Sequence, residues 1–536
     1  MAAITFQPNQ ILTAEQLDAA FANTVSPSNP VFNPPVPISS GGTGSSTATG
    51  ATSNLQYLQG SPGSVAESVT AKLQQIVTVK DFGARGDGAT NDTAAIQAAI
   101  NALAASGGTV VFPDGNYRVS STIALAAGVS LAGESEFSST ILPQTASMTV
   151  FSLIFGTSSA AELSVRDLSI QCGTVANVQG FQFTYCNRVN LENISFFGCL
   201  NNFTFDRGGL HRVVNCTSAG TATLASGAAK MWSSTDTEYG SVFSIVEGYR
   251  AENNGAGIQS PMFYFRRAVA VKVSQLVTTN NAAHGTGTGI LIENDCQGIC
   301  VENSLMVDFV EGCVFQQGAG IAVAPTVNIL SDVDFDQCST NSILLSQGAG
   351  NQIRGGVITS SAVATTSQAI VINSGASENT IDGTHISGYF GAGGTGVLLN
   401  GCSGNRLYGV QVGGSTQGVA FSGSVTQTHI AGCDFSSGVT TAIAGSVAGV
   451  GNNIQNVKGF SGAALIASPA VPASTVPVTN NFGIPARIFV NGGAVSLLSI
   501  NGVASGFTTG SSLILYPGES VALTYSSAPS WNWIGI

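Results

Sequence analysis

From about residue 160 to 450 the chain repeats a short apolar strand at intervals unlike those of helical or Leu-rich repeats. Aligned on one apolar position per repeat, it reads Val165, Leu191, Val213, Ile245, Val271, Val301, Ile329, Ile353, Ile381, Leu407 and Ile430, with steps of 22 to 32 residues. Within each repeat apolar and polar residues alternate, so each strand has one buried face. One such unit cannot bury its own apolar face. Stacking many of them into a parallel β-helix makes a continuous core. Low charge (9%) and 66 glycines suit short strands joined by tight turns. In the later repeats Asn351, Asn379 and Asn405 each stand just before a strand. Their recurrence predicts an asparagine ladder between turns, with solvated loop asparagines as the alternative.

A solenoid needs a lid, and residues 77–133 supply one. A strand and a Gly-rich turn (Asp81-Phe82-Gly83-Ala84-Arg85-Gly86-Asp87-Gly88) precede a helix capped by Asn91 or Asp92, with Ile96, Ala99, Ile100 and Leu103 on one face. Gly107 and Gly108 end that helix. Short strands at Thr109–Phe112, Tyr117–Val119, Ser121–Ile123 and Val129–Leu131 follow. The segment resembles the opening module of pectate-lyase-like right-handed parallel β-helix proteins, as found in bacteriophage tailspikes. The matching residues are Val79–Ala84, Gly86–Gly88, Asn91–Ala99, Gly107–Val110, Phe112, Pro113, Gly115 and Tyr117. The resemblance implies the fold. These are cap and first-rung residues, and no lyase motif follows, so lyase chemistry is not carried over. Arg85-Gly86-Asp87 belongs to this turn and is read as structure, not as an adhesion tripeptide.

The expected fold is all-β: a right-handed parallel β-helix with an N-terminal capping helix, a small N-terminal adaptor and a C-terminal antiparallel β-sandwich. Residues 1–75 read as adaptor and linker, 76–458 as the β-helix and 459–536 as the sandwich. In the adaptor, Thr13-Ala14-Glu15-Gln16 fits a capping box, and Pro27 to Pro37 form a linker. Residues 37–44 (Pro-Ile-Ser-Ser-Gly-Gly-Thr-Gly) resemble a linker common in phage tail fibres, which implies attachment to a phage tail or baseplate protein. In the sandwich, strands at 487–490, 495–500, 512–516 and 520–525 precede Trp531 and Trp533. It resembles the tailspike end domain that holds three chains together. A carbohydrate-binding module is the alternative, because paired tryptophans stack on sugars.

Net charge is −12 with no Lys/Arg cluster, which disfavours nucleic acid and anionic membranes. The N-terminus shows no basic and apolar secretory pattern, and no apolar run reaches membrane-spanning length. Ten cysteines sit singly in strand-like runs and read as buried thiols. Four scattered histidines suggest no metal site. No cofactor is expected.

Chemistry is sought mid-solenoid, where 12 of the 29 acidic residues lie between Asp236 and Asp336. Glycosidases need two carboxyls about 5 Å or about 6.5–9.5 Å apart, and strand neighbours i and i+2 share a face at about 6.6 Å. With Ile290 and Ile292 inward, Glu293 and Asp295 are expected to point out together. Asp332, Asp334 and Asp336 share an outer face by the same reasoning. Aligning Val301 on Ile329 places Asp308 under Asp336, with Glu252 in the same column beyond Thr278. Glu252, Asp308, Asp336, Glu293 and Asp295 are therefore the catalytic candidates. Arg250 and Arg266 are candidates for holding an acidic sugar, Trp232 and Tyr239 for stacking, and Asp334 and Asp332 for extending the site. Insertions at 217–243 and 281–289 would wall it.

These readings lead to a homotrimeric phage tailspike that is made in the host cytoplasm, joins the virion tail, and binds and hydrolyses a bacterial surface polysaccharide. A polysaccharide lyase of the same architecture and a non-catalytic adhesin are the alternatives.

Overall fold

The computed structural model describes residues 47–536 apart from 74, 222–223, 226, 236, 253–260, 281–286, 319–322, 361–366, 390–392 and 462–465. The expected helix at 13–16 and the linkers at 27–44 lie outside the described residues. Residues 47–73 form a small unit of two short helices, Ala48–Asn54 and Val69–Leu73, with an antiparallel pair between Gln56–Tyr57 and Glu67–Ser68.

The lid forms as its sequence predicts. Thr78 and Asp81 cap a 3-10 turn reciprocally, and the turn ends at left-handed Gly83. In the helix Thr93–Leu103, Ile96, Ala99 and Ile100 are buried. Asn91 caps this helix from outside, its Oδ1 accepting the Thr93 amide at 3.2 Å. Asp92 is buried and clamps the preceding turn, accepting the Arg85 and Gly86 amides at 2.8 and 3.0 Å. Gly86 has φ +63°, and a Cβ there would lie 2.9 Å from the Tyr117 ring. The Arg-Gly-Asp tripeptide is thus a packed corner.

Behind the lid runs a right-handed parallel β-helix with three sheets. One inward column shows its continuity: Val77, Val110, Leu131, Val165, Leu191, Val213, Val246, Val273, Val301, Leu330, Ile353, Ile381, Leu407, Ile430 and Ile454. The sequence alignment holds along this column except at three rungs, where Val246, Val273 and Leu330 replace Ile245, Val271 and Ile329. Adjacent apolar pairs such as Ile245-Val246 and Ile329-Leu330 do not reveal which member points inward. A one-residue slip exchanges the faces, and Ile245 is in fact exposed.

The asparagine ladder is present. Asn328, Asn351, Asn379 and Asn405 are buried on successive turns, and each Oδ1 of the last three accepts both the backbone amide and the side-chain amide of the asparagine before it, at 3.0–3.1 Å. Replacing Asn379 with Ala would strand two buried donors of Asn351. The expected loss is about 2–4 kcal/mol of stability, read as a lowered urea midpoint, whereas exposed Asn400→Ala should change little.

Phenylalanines fill the core of the early rungs. Phe151 stacks on Phe181 at 5.2 Å and Phe183 on Phe205 at 5.3 Å. Phe205 then stacks on His211 at 4.0 Å. His211 is buried, and neither ring nitrogen has a hydrogen-bond partner among the described residues. All ten cysteines are free thiols, nine of them buried.

Residues 478–535 form two antiparallel sheets of four and three strands. Trp531 and Trp533, on the last strand of the three-stranded sheet, are buried, 5.4 Å apart and edge to face. Their burial removes the basis for a carbohydrate-binding module here, since neither ring offers a face to a sugar.

Candidate functional site

Alternation decides which side chains reach the surface. In the strand Ala228–Trp232, Ala229 and Met231 enter the core, so Lys230 and Trp232 face out. In Phe263–Arg266, Phe263 and Phe265 enter, leaving Tyr264 and Arg266 outside. In Thr288–Glu293, Ile290 and Ile292 enter, leaving Leu291 and Glu293. Parallel pairing stacks these positions. Asp206, Trp232, Arg266, Glu293 and Gln316 form one column, with Thr204, Lys230, Tyr264 and Leu291 beside it.

Glu293 sits at the crowded end of the column. Its carboxylate accepts the Tyr264 hydroxyl and, at 3.1 Å, the Gln316 amide. Arg266 Nε is 3.9 Å away, and its Nη1 donates to the Ser233 carbonyl at 2.6 Å. Burial, helped by the Glu293 hydrogen bond and charge, pushes the Tyr264 phenol well above its ordinary range. Tyr264 lies 6.0 Å from Trp232. The Lys230 ammonium is 5.6 Å from the Trp232 ring centre, and burial pushes its pKa down.

A wall of residues 233–235 and 237–240 is strapped to the sheet by arginines. Asp206 binds Arg207 through two contacts, at 3.1 and 2.9 Å, and accepts the Ser234 amide and hydroxyl, both at 2.9 Å. Glu238 accepts from Tyr185 at 2.5 Å and Arg207 at 3.3 Å, and the Tyr185 bond leads in holding its carboxyl below the usual range. Arg267 donates to the Glu238 carbonyl at 2.9 Å, lies 5.1 Å from the exposed Tyr239 ring, and pairs with Asp295 at 3.6 Å.

The structure therefore gathers Trp232, Tyr239, Arg266, Glu293 and Asp295. The expectation that Glu293 and Asp295 point out together from one regular strand is corrected. Both are buried, because Asn294 and Asp295 take φ +45° and turn the chain at a corner. Each acid faces its own arginine.

Glu252, Arg250, Asp332, Asp334 and Asp336 on other strands, and Asp308 in a turn, do not join this group. Their expected column is also corrected. Glu252 pairs with Thr279, Thr279 with Val307, and Val307 with Asp336. Thr278 is buried, and Asp308 (φ +63°) has left the strand for the following turn. Arg250 shares the strand Arg250–Glu252 and is exposed. Asp334 and Asp336 do share an outer face, but Asp332 (φ +52°) marks a bend. Asp334 accepts the Val357 amide at 2.7 Å and Asp336 the Thr359 hydroxyl at 2.5 Å, so both serve the next rung. Asp332 and Asp334 line a shallow, open concavity of about 480 Å³.

Sequence reasoning missed Lys230, Tyr264, Asp206, Arg207, Tyr185, Glu238 and Arg267. The signal was present in part. Aligning Phe205, Met231, Phe265 and Ile292 as the inward column would have stacked Asp206, Trp232, Arg266 and Glu293.

Comparison with known proteins agrees on the fold. Residues 76–314 match the family described as rhamnogalacturonase A/epimerase, pectate lyase-like, and residues 233–456 match the periplasmic copper-binding protein (NosD) family. Among solved structures, the tailspike of E. coli bacteriophage HK620 in complex with a hexasaccharide superposes with a TM-score of 0.57 at 12% identity, covering 91% of this chain and 97% of that one. Tailspike protein 3 of bacteriophage CBA120 gives 0.54 at 16% identity over 82% and 72%. The N-terminal fragment of bacteriophage Phi29 gene product 12 gives 0.57 at 15% over 73% and 72%. The likeness is one of fold.

Closer sequence identity is confined to a short stretch. Mannuronan C5-epimerase AlgE3 of Azotobacter vinelandii is 74% identical over 43 residues, 8% of this chain and 2% of its own length. Alginate lyase 7 of the same organism is 70% identical over 43 residues, 5% of its length. The chain thus spans only a small part of these curated relatives. No group of three or more His, Cys, Asp and Glu side chains converges among the described residues.

Proposed function

We propose that this chain is a tailspike-type receptor-binding protein. It lays a bacterial surface polysaccharide along the column from Asp206 to Glu293 and cleaves it there by hydrolysis. The observation that carries this reading is the column itself: four successive rungs present a carboxylate, an indole, a guanidinium and a second carboxylate on one outer face. Aromatic rings bind sugar faces, charged groups bind their substituents, and a carboxyl serves as acid or base. Asp206 and Glu293 are three rungs apart, about 14 Å, too far to act as a pair. Glu293 with Asp295, two residues on, is the proposed pair, with Arg266 and Arg267 holding one carboxylate each. Three chains associate through the C-terminal sandwich, and the N-terminal residues attach to the phage tail. Likeness to tailspikes over nearly the whole chain supports this placement.

The test is incubation with surface polysaccharides of candidate hosts, followed by sizing of products and ultraviolet detection of unsaturated sugars. Saturated oligosaccharides are the expected product. Unsaturated ends would mean elimination, and binding without release would mean an adhesin. Light scattering should give three times the chain mass, and a monomeric mass would refute the assembly.

A further inference from the structure

Five lysines are present, and four of them are engaged. Lys72, Lys272 and Lys458 each lie within 3.4 Å of a carboxylate oxygen, and Lys80 donates to the Asp114 carbonyl at 3.1 Å. Lys230 has no hydrogen bond or ion pair among the described residues, only the indole of Trp232 beneath it. It is also half-buried, whereas Lys80, Lys272 and Lys458 are exposed. A cation withdrawn from water without a counter-charge is a cost to the folded protein.

The arginines of the site cannot take the part of Lys230. Arg207 is committed to Asp206 and Glu238, Arg266 to the Ser233 carbonyl, and Arg267 to Asp295 and the Glu238 carbonyl. They hold the wall, and Lys230 remains for a ligand.

We propose that Lys230 is a specificity-determining residue that pairs with a carboxylate on the sugar ring lying against Trp232, so that the groove selects an acidic polysaccharide. This rests on the reading of the column as a glycan site. The neighbours fit such a guest. Trp232 offers an apolar face beside Lys230. A neutral sugar would leave the ammonium uncompensated, while one carboxylate matches its single charge. Burial already disfavours the charged form of Lys230, so an incoming carboxylate should restore its proton. Complex formation at alkaline pH then takes up protons, a signature that packing alone does not give.

The experiment uses the full-length protein and a panel of purified bacterial capsular and O-antigen polysaccharides. The panel includes acidic and neutral members, with each acidic one also in carboxyl-reduced form. The wild type is expected to bind an acidic member and to lose at least about tenfold in affinity when its carboxyls are reduced. Lys230→Met should lose the same factor on the native glycan and become indifferent to reduction, while Lys230→Arg keeps most of the affinity. Calorimetry in buffers of different ionisation enthalpy should show proton uptake for the wild type only. Unchanged thermal midpoints would confirm that the variants fold. A neutral glycan bound equally by wild type and Lys230→Met, with binding lost in Trp232→Ala, would overturn the charge pairing and leave the glycan groove standing. Binding unaffected by both Lys230→Met and Trp232→Ala, or binding to no member of the panel, would overturn the groove itself.

Discussion

Glu293→Gln is expected to lower polysaccharide cleavage about a hundred- to ten-thousand-fold, the usual contribution of a positioned acid or base, while glycan affinity and thermal midpoint stay close to wild type. The amide keeps the shape of the carboxyl, and its one oxygen keeps one of the two bonds that Tyr264 and Gln316 donate to separate oxygens of Glu293, so the fold survives the change. What is lost is the transferable proton. Asp295→Asn should act in the same direction, as the partner in the pair. Product release measured by reducing ends, beside binding measured on the same sample, separates the two effects. If Glu293→Gln cleaves at the wild-type rate, the chemistry is elsewhere, and Asp334 and Asp336 become the next pair to change.

His211→Phe is expected to flatten the acid side of the stability profile. Burial alone pushes His211 down to about 3 in the folded protein, against an ordinary value near 6.5. Between those two values the unfolded chain binds a proton that the folded chain refuses. Folding is therefore unpenalised above pH about 6.5, loses stability as pH falls, and levels off below pH about 3. The full difference is about 5 kcal/mol by linkage. Phe cannot be protonated and would continue the stack on Phe205. Urea midpoints at pH 7 and pH 4 should show the variant gaining on wild type by about 3 kcal/mol at the lower pH. Because Phe is larger, His211→Leu serves as a second variant with the same expected slope. Parallel pH profiles in all three proteins would refute the assignment.

Parts of this molecule are legible one residue at a time, and others are not. The lid was readable because its constraints are local. Thr78 and Asp81 cap each other three residues apart, and Ile96, Ala99 and Ile100 repeat at helical spacing. The late rungs were readable because their steps stay between 23 and 28 residues and Asn351, Asn379 and Asn405 mark each turn. The β-helix and its asparagine ladder thus follow from short-range pattern, and so do the antiparallel strands at the C-terminus.

The candidate site was not readable in that way, because it is a column across rungs whose lengths differ. Placing Glu293 above Arg266 and Trp232 requires the register through the insertions at 217–243 and 281–289, and an error of one residue turns a side chain from surface to core. Non-glycine residues in left-handed corners add to the difficulty. Asp308, Asp332, Asn294 and Asp295 take positive φ, and strict alternation fails at each of them. Aligning Val301 on Ile329, one residue short of its true partner Leu330, put Asp308 beneath Asp336, and strict alternation pointed Glu293 and Asp295 out together. Sequence alone determined that this chain stacks strands into a parallel β-helix, since buried periodicity needs only neighbours along the chain. Which charged and aromatic side chains share a face was decided by tertiary structure, because hydrogen bonding between rungs sets the register of residues some 22 to 34 apart in sequence.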